Sequence, residues 1–160
     1  MADTAEAAEH MALGFVQGGM QKATARVLAA FMFADEDSVT APDLAERLGI
    51  SSGSVSGAIK MLSTVGLIER APAPGSRREH YRIREGAWAT LMSTQNGMVQ
   101  AMFEAADRGI EAAGPGSPAA RRLEEMRDFY GFMFRELPAL IERWRTERPR
   151  PSEPPPARPS

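Results

Sequence analysis

Apolar side chains recur at every third or fourth position through most of this chain, and that period predicts helices. Ala8, Met11, Ala12 and Phe15 form a first stripe, predicting a helix over 4–17 that Gly18 and Gly19 end. A second stripe of Met20, Thr24, Val27, Leu28 and Phe31 predicts a helix over 20–34, followed by the acidic turn "DEDS". Thr40-Ala41-Pro42-Asp43 then has the form of a helix start, with Thr as cap, an acid three residues on, and Pro where its missing N–H does no harm. Leu44 and Leu48 are the inward positions of this short helix, and Gly49 stands where a left-handed cap is expected.

The next stretch, "SSGSVSGAIK", has the composition of a loop and the pattern of a helix. At about 100° per residue, Val55, Ile59, Leu62 and Gly66 fall on one side with Ala58 beside them. Ser51 or Ser52 can cap this helix, which should end near Val65 and Gly66. Its opposite side carries Gly53, Gly57, Lys60 and Thr64, flanked by Ser54 and Ser56: a face with almost no side chains. Period two takes over in "LIER" (67–70) and "HYRIR" (80–84), joined by "APAPGSRRE", so a β-hairpin with paired arginines near its tip is expected. Such a hairpin is too small to stand alone and must lean on the helices before it.

Two long helical patterns complete the chain. The first runs from Trp88 through Leu91, Met92, Val99, Met102, Phe103 and Ala106 to Ile110, and "GPGSP" ends it. The second spaces Leu123, Met126, Tyr130, Met133, Leu137, Leu140 and Trp144 by threes and fours, the seam of a helix lying along another helix. Pro138 is expected to kink or restart it. The closing "PRPSEPPPARPS" reads as a disordered or polyproline tail.

Charge sharpens the picture. The net charge of −2 is the sum of −4 over residues 1–39, +3 over 40–84 and −1 over 85–160. The only basic third is therefore the one holding the bare helix and the hairpin, which suggests contact with a polyanion. There is no cysteine, which excludes disulfides, thiol redox sensing and Cys-ligated metals. Two histidines, His10 and His80, lack metal-ligand spacing, so no metal or other cofactor is expected. No nucleophile–base pair, phosphate loop or carboxylate pair stands out, so an enzyme is not expected. The longest apolar run, "VLAAFMFA", falls well short of the roughly 20 residues a membrane span needs. The acidic start lacks the order of a signal peptide, and a cytoplasmic location is expected.

A short helix, a glycine turn, a second helix and a hairpin with a basic tip make a winged helix-turn-helix, whose partner is double-stranded DNA. Backbone bared by glycine can approach a groove closely, small hydroxyls can meet base edges and phosphates, and arginines hold phosphates or enter the minor groove. The candidate DNA contacts are Thr40, Ser51, Ser52, Gly53, Ser54, Ser56, Gly57 and Lys60 around the helix pair, with Arg70, Arg77, Arg78, His80 and Arg82 on the hairpin. A winged-helix module for protein–protein contact, with the Pro-rich tail as ligand for another domain, is the alternative.

From "RVLAAFMF" to "YRIREGAW", over about residues 20–88, the chain resembles the MarR superfamily of bacterial transcription regulators. The helix pair "LAERLGISSGSVSGAI" and the wing "PGSRREHYRI" are most similar to its GbsR-like branch. The resemblance implies a mainly α fold with a small β-hairpin wing, divided into a DNA-binding domain (20–86), a helical dimerisation region (4–19 and 87–146) and a disordered tail (147–160). It further implies a homodimer on pseudo-palindromic DNA, usually a repressor, with an effector pocket between the reading module and the dimer helices. Phe15, Met20, Trp88, Met92, Tyr130 and Met133 are the candidate pocket residues.

Overall fold

The computed structural model describes residues 3–148, so most of the Pro-rich tail, 149–160, lies outside the described residues. The elements are α1 (Thr4–Gln17), α2 (Lys22–Met32), β1 (Val39–Thr40), α3 (Ala41–Leu48), α4 (Ser52–Thr64), β2 (Ile68–Ala71), β3 (His80–Ile83), α5 (Ala87–Ala113) and α6 (Pro118–Glu147). The chain is mainly α with a small antiparallel sheet, as the pattern predicts, and it divides into two compact units, 1–91 and 92–160.

In the first unit, helix starts follow local chemistry. Thr40 and Asp43 close a reciprocal capping box on α3, and Gly49 ends that helix in the left-handed region at φ 61°. Ser51, not Ser52, caps α4 by accepting from the Ser54 amide. The back of α4 is the centre of the core: Val55, Ala58, Ile59 and Leu62 pack with Val27, Leu28 and Phe31 of α2, Leu44 of α3 and Ile68 of β2. Burying each such side chain contributes about 1.5–3 kcal/mol, so α4 is held by its apolar back despite its poor helix formers. Gly66 turns the chain from α4 into β2 at φ 79°, and a Cβ there would come within 2.7 Å of the Thr90 methyl. Only glycine fits.

The hairpin is part of a three-stranded sheet ordered β1-β3-β2. Ile68 pairs with Ile83, Glu69 with Arg82 and Arg70 with Tyr81. The third strand, β1, was not expected from sequence. It is two residues long, too short to show a period, and exists because Val39 and Thr40 sit beside Tyr81 and His80. Helix α2 is shorter than the expected 20–34, beginning after Gln21 and ending at Met32.

The second unit is an antiparallel helical hairpin. A Cβ on Gly109 would meet Leu123 at 2.9 Å and one on Gly131 would meet Phe103 at 3.1 Å, so each glycine makes room for a side chain of the facing helix. The expected restart at Pro138 does not occur: α6 runs unbroken from Pro118 to Glu147. Leu137 and Ile141, on either side of Pro138, are both buried and keep that turn packed. A cavity of about 220 Å³ lies beside the proline, lined by Ser93, Asn96, Leu137, Ile141 and Arg145. Among the described residues the buried Asn96 Oδ1 has no hydrogen-bond partner.

Candidate nucleic-acid interface

The structure brings four of the predicted contacts, Ser56, Lys60, Arg70 and Arg78, onto one groove of about 710 Å³ in the first unit; the other candidates do not line it. Helix α4 supplies Ser56, Lys60 and Ser63, the sheet supplies Glu69, Arg70 and Tyr81, and the wing loop supplies Arg78 and Glu79. Ser51, Ser52, Gly53, Ser54, Ser56, Gly57 and Lys60 are all exposed, one residue type after another on the outer face of α4. Nothing lies within 4 Å of a Cβ added to Gly57, and only the Ser51 hydroxyl, at 3.9 Å, lies near one on Gly53. The chain's own packing therefore does not call for glycine at either place, although each weakens the helix by about 1 kcal/mol relative to Ala.

Thr40 stands apart from the other candidates. It is 3% exposed, and its hydroxyl donates to Asp43 Oδ2 at 2.6 Å while accepting from the Asp43 amide at 3.3 Å. The hydroxyl first, and second the Thr40 amide, which donates to the same Oδ2 at 3.2 Å, hold the Asp43 carboxyl below its ordinary range. Thr40 caps α3 and offers no side-chain surface. Next to it, Glu36 in the acidic turn is paired with Arg47 of α3, which lowers the Glu36 carboxyl and ties the turn to the helix.

The wing cations divide into paired and unpaired groups. Arg70 Nη2 lies 2.9 Å from Glu79 Oε1, and Tyr81 Oη donates to Glu79 Oε2 at 2.7 Å. That last bond, with burial behind it, raises the Tyr81 phenol above its ordinary value. Across the strands Arg82 Nη2 meets Glu69 Oε1 at 3.0 Å, and Arg84 reaches Glu69 Oε2 at 3.5 Å. No ion pair engages Lys60, Arg77 or Arg78 among the described residues. His80 has both ring nitrogens near hydroxyls, those of Ser38 and Ser76, each at 3.1 Å.

Glu69, Glu79, Ser38 and Ser76 were not singled out from sequence. The strand register could have found Glu69, because it stands directly opposite Arg82. The other three act through the loop and through β1, which carry no periodic signal. Of the candidate pocket residues, Phe15 and Trp88 stack with ring centroids 6.4 Å apart, and Met20 packs on the core of the first unit. Met92, Tyr130 and Met133 lie on the helices of the second. No described helix is long and apolar enough to cross a membrane.

A capped helix pair followed by a wing with a cationic tip, sharing one groove, defines a winged helix-turn-helix DNA-binding protein. Residues 7–79 match the model of the MarR family, and residues 86–147 match that of MmpR5-like MarR family transcriptional regulators. The HTH-type transcriptional regulator MmpR5 of Mycobacterium tuberculosis (strain ATCC 25618 / H37Rv) is 32% identical over 132 residues, covering 82% of this chain and 80% of that protein. A solved structure described as a transcriptional regulator superposes with a TM-score of 0.79 at 29% identity, covering 91% of this chain and 100% of that one. The chain belongs to the MarR family of transcriptional regulators.

Proposed function

We propose that this regulator works in the cytoplasm as a homodimeric repressor that holds pseudo-palindromic operator DNA and releases it on binding a small-molecule effector. Each α4 enters a major groove. Backbone bared at Gly53 and Gly57 approaches the bases, while the serines and Lys60 supply polar contacts. Arg77 and Arg78 hold phosphates or reach the neighbouring minor groove. Arg70 and Arg82 join them by exchanging a carboxylate for a phosphate, an inexpensive exchange for pairs this exposed: Arg70 and Glu79 are 75% and 55% exposed.

The observation that carries this reading is Gly57, which opens on empty space in the middle of a helix with a fully packed back. A regulator gains from that arrangement only if another surface comes close.

In this reading residues 20–86 read DNA, and residues 4–19 with 87–146 form the dimer. Support for a second copy comes from α5 and α6, where Met98, Phe129, Phe132, Leu140 and Trp144 are each more than half exposed, a larger apolar display than a monomer usually keeps. An effector held by the helical region would change the separation of the two α4 helices, which must match half-sites about 34–36 Å apart. The GbsR-like placement rests on the α4 and wing sequences alone. Thermal shift with quaternary ammonium compounds tests it.

Footprinting on the chain's own upstream DNA, with and without ligands and at rising salt, tests the whole. Protection should weaken with a log–log slope of about −0.9 per phosphate neutralised. Absent or salt-independent protection overturns it. Binding to a partner protein that needs the Pro-rich tail but neither Arg77 nor Arg78 would favour the protein-interaction alternative instead.

A further inference from the structure

From the Ser38–His80–Ser76 contacts we infer that His80 is a positioning residue, a brace that fixes the wing tip and presents Arg77 and Arg78 without itself touching DNA. Its ring lies between two elements that no other side-chain hydrogen bond joins among the described residues. On one side, Nδ1 is 3.1 Å from Ser38 Oγ, in the segment leading into β1. On the other, Nε2 is 3.1 Å from Ser76 Oγ, at the turn of the wing loop.

Ser76 in turn grips the backbone of the second wing arginine, two positions on: its Oγ lies 3.4 Å from the Arg78 carbonyl and accepts from the Arg78 amide at 3.2 Å. The ring bridges both hydroxyls in either neutral tautomer: with the proton on Nε2 it donates to Ser76 and accepts from Ser38, and with the proton on Nδ1 the two roles reverse. A chain of bonds thus runs from the segment before β1 through the ring to the backbone of Arg78.

Without it, the exposed loop between Ala71 and His80 keeps the turn from Ser76 to the Ala73 carbonyl and the ion pair at Glu79. Ordering a loop residue costs about 1–2 kcal/mol, and a tip ordered before binding does not bear that cost on the DNA.

The inference rests on the wing reading DNA, and a double-mutant cycle separates the two. Affinity for a short mixed-sequence duplex is measured by fluorescence anisotropy for the intact chain, His80→Ala, the double variant Arg77→Ala with Arg78→Ala, and all three changes together. His80→Ala should weaken binding about tenfold in the intact background and leave it unchanged once both arginines are gone. Ser76→Ala should match the loss, breaking the same link from the loop side. His80→Gln, whose amide nitrogen stands where Nε2 does, should restore most of the affinity, whereas His80→Asn should not.

An equal loss from His80→Ala in both backgrounds would make it a DNA contact and overturn the brace, as would no loss in either. If instead the double arginine variant binds as tightly as the intact chain, the wing reading itself fails. Thermal unfolding of each variant keeps a folding defect from passing as either outcome.

Discussion

Helix α4 and the wing face the same groove with opposite designs. The outer face of α4 is nearly bare, one lysine among serines and glycines, and its order comes from behind, from Val55, Ile59 and Leu62 in the core. The wing has little core behind it. It carries arginines and is ordered by polar bonds of its own: Glu79 to Arg70 and Tyr81, Glu69 to Arg82 and Arg84, Ser76 to His80. In the proposed reading, α4 can give up side chains for a close approach because its back is buried, whereas the wing keeps long cations for phosphates and uses carboxylates and hydroxyls to fix them beforehand.

Filling the bare face should produce the largest effect. Gly57→Leu adds a side chain into open space, so the melting temperature should hold or rise while affinity for operator DNA falls about 100-fold or more. Calorimetry and anisotropy on the same sample check both halves, and a variant that binds DNA normally would mean that α4 does not approach a surface closely. On the wing, Arg78→Ala should weaken binding to all duplexes alike by several-fold and lower the salt slope by about 0.9. A change confined to sequence preference would reverse the division of labour between helix and wing.

Gly57→Ala should be gentler. It should stabilise the chain by about 1 kcal/mol in denaturant titration while costing some DNA affinity. The smallest effect is spectroscopic. In a Tyr130→Phe background, Tyr81 should titrate above 10, and Glu79→Gln should bring it back towards that value. The sign is that of a proton held more tightly in the folded chain. Its stabilising contribution is whole below about pH 10 and is lost as the pH rises through the raised folded value.

Much of this fold could be read along the chain. The stripe of α1, the capping box at Thr40 and Asp43, the left-handed Gly49 and the packed back of α4 are local signals, written within a few residues of each other. Three features were not readable. The strand β1 is too short to have a period, α6 runs through Pro138 because buried neighbours hold it, and Thr40 turned inward once its cap and strand pairing were made. The candidate site was legible as a composition: small residues on one face, arginines on a loop.

The order of elements, the amphipathic back of α4 and the concentration of positive charge in one third of the chain follow from spacing and composition along the chain alone. Which of the wing cations are ion-paired among the described residues emerges only once the chain has folded. Glu79 finds Arg70, and Ser38 finds His80 across 42 positions, only after the sheet has formed. Partnerships across a sheet depend on register and on loop closure, and no local period encodes either.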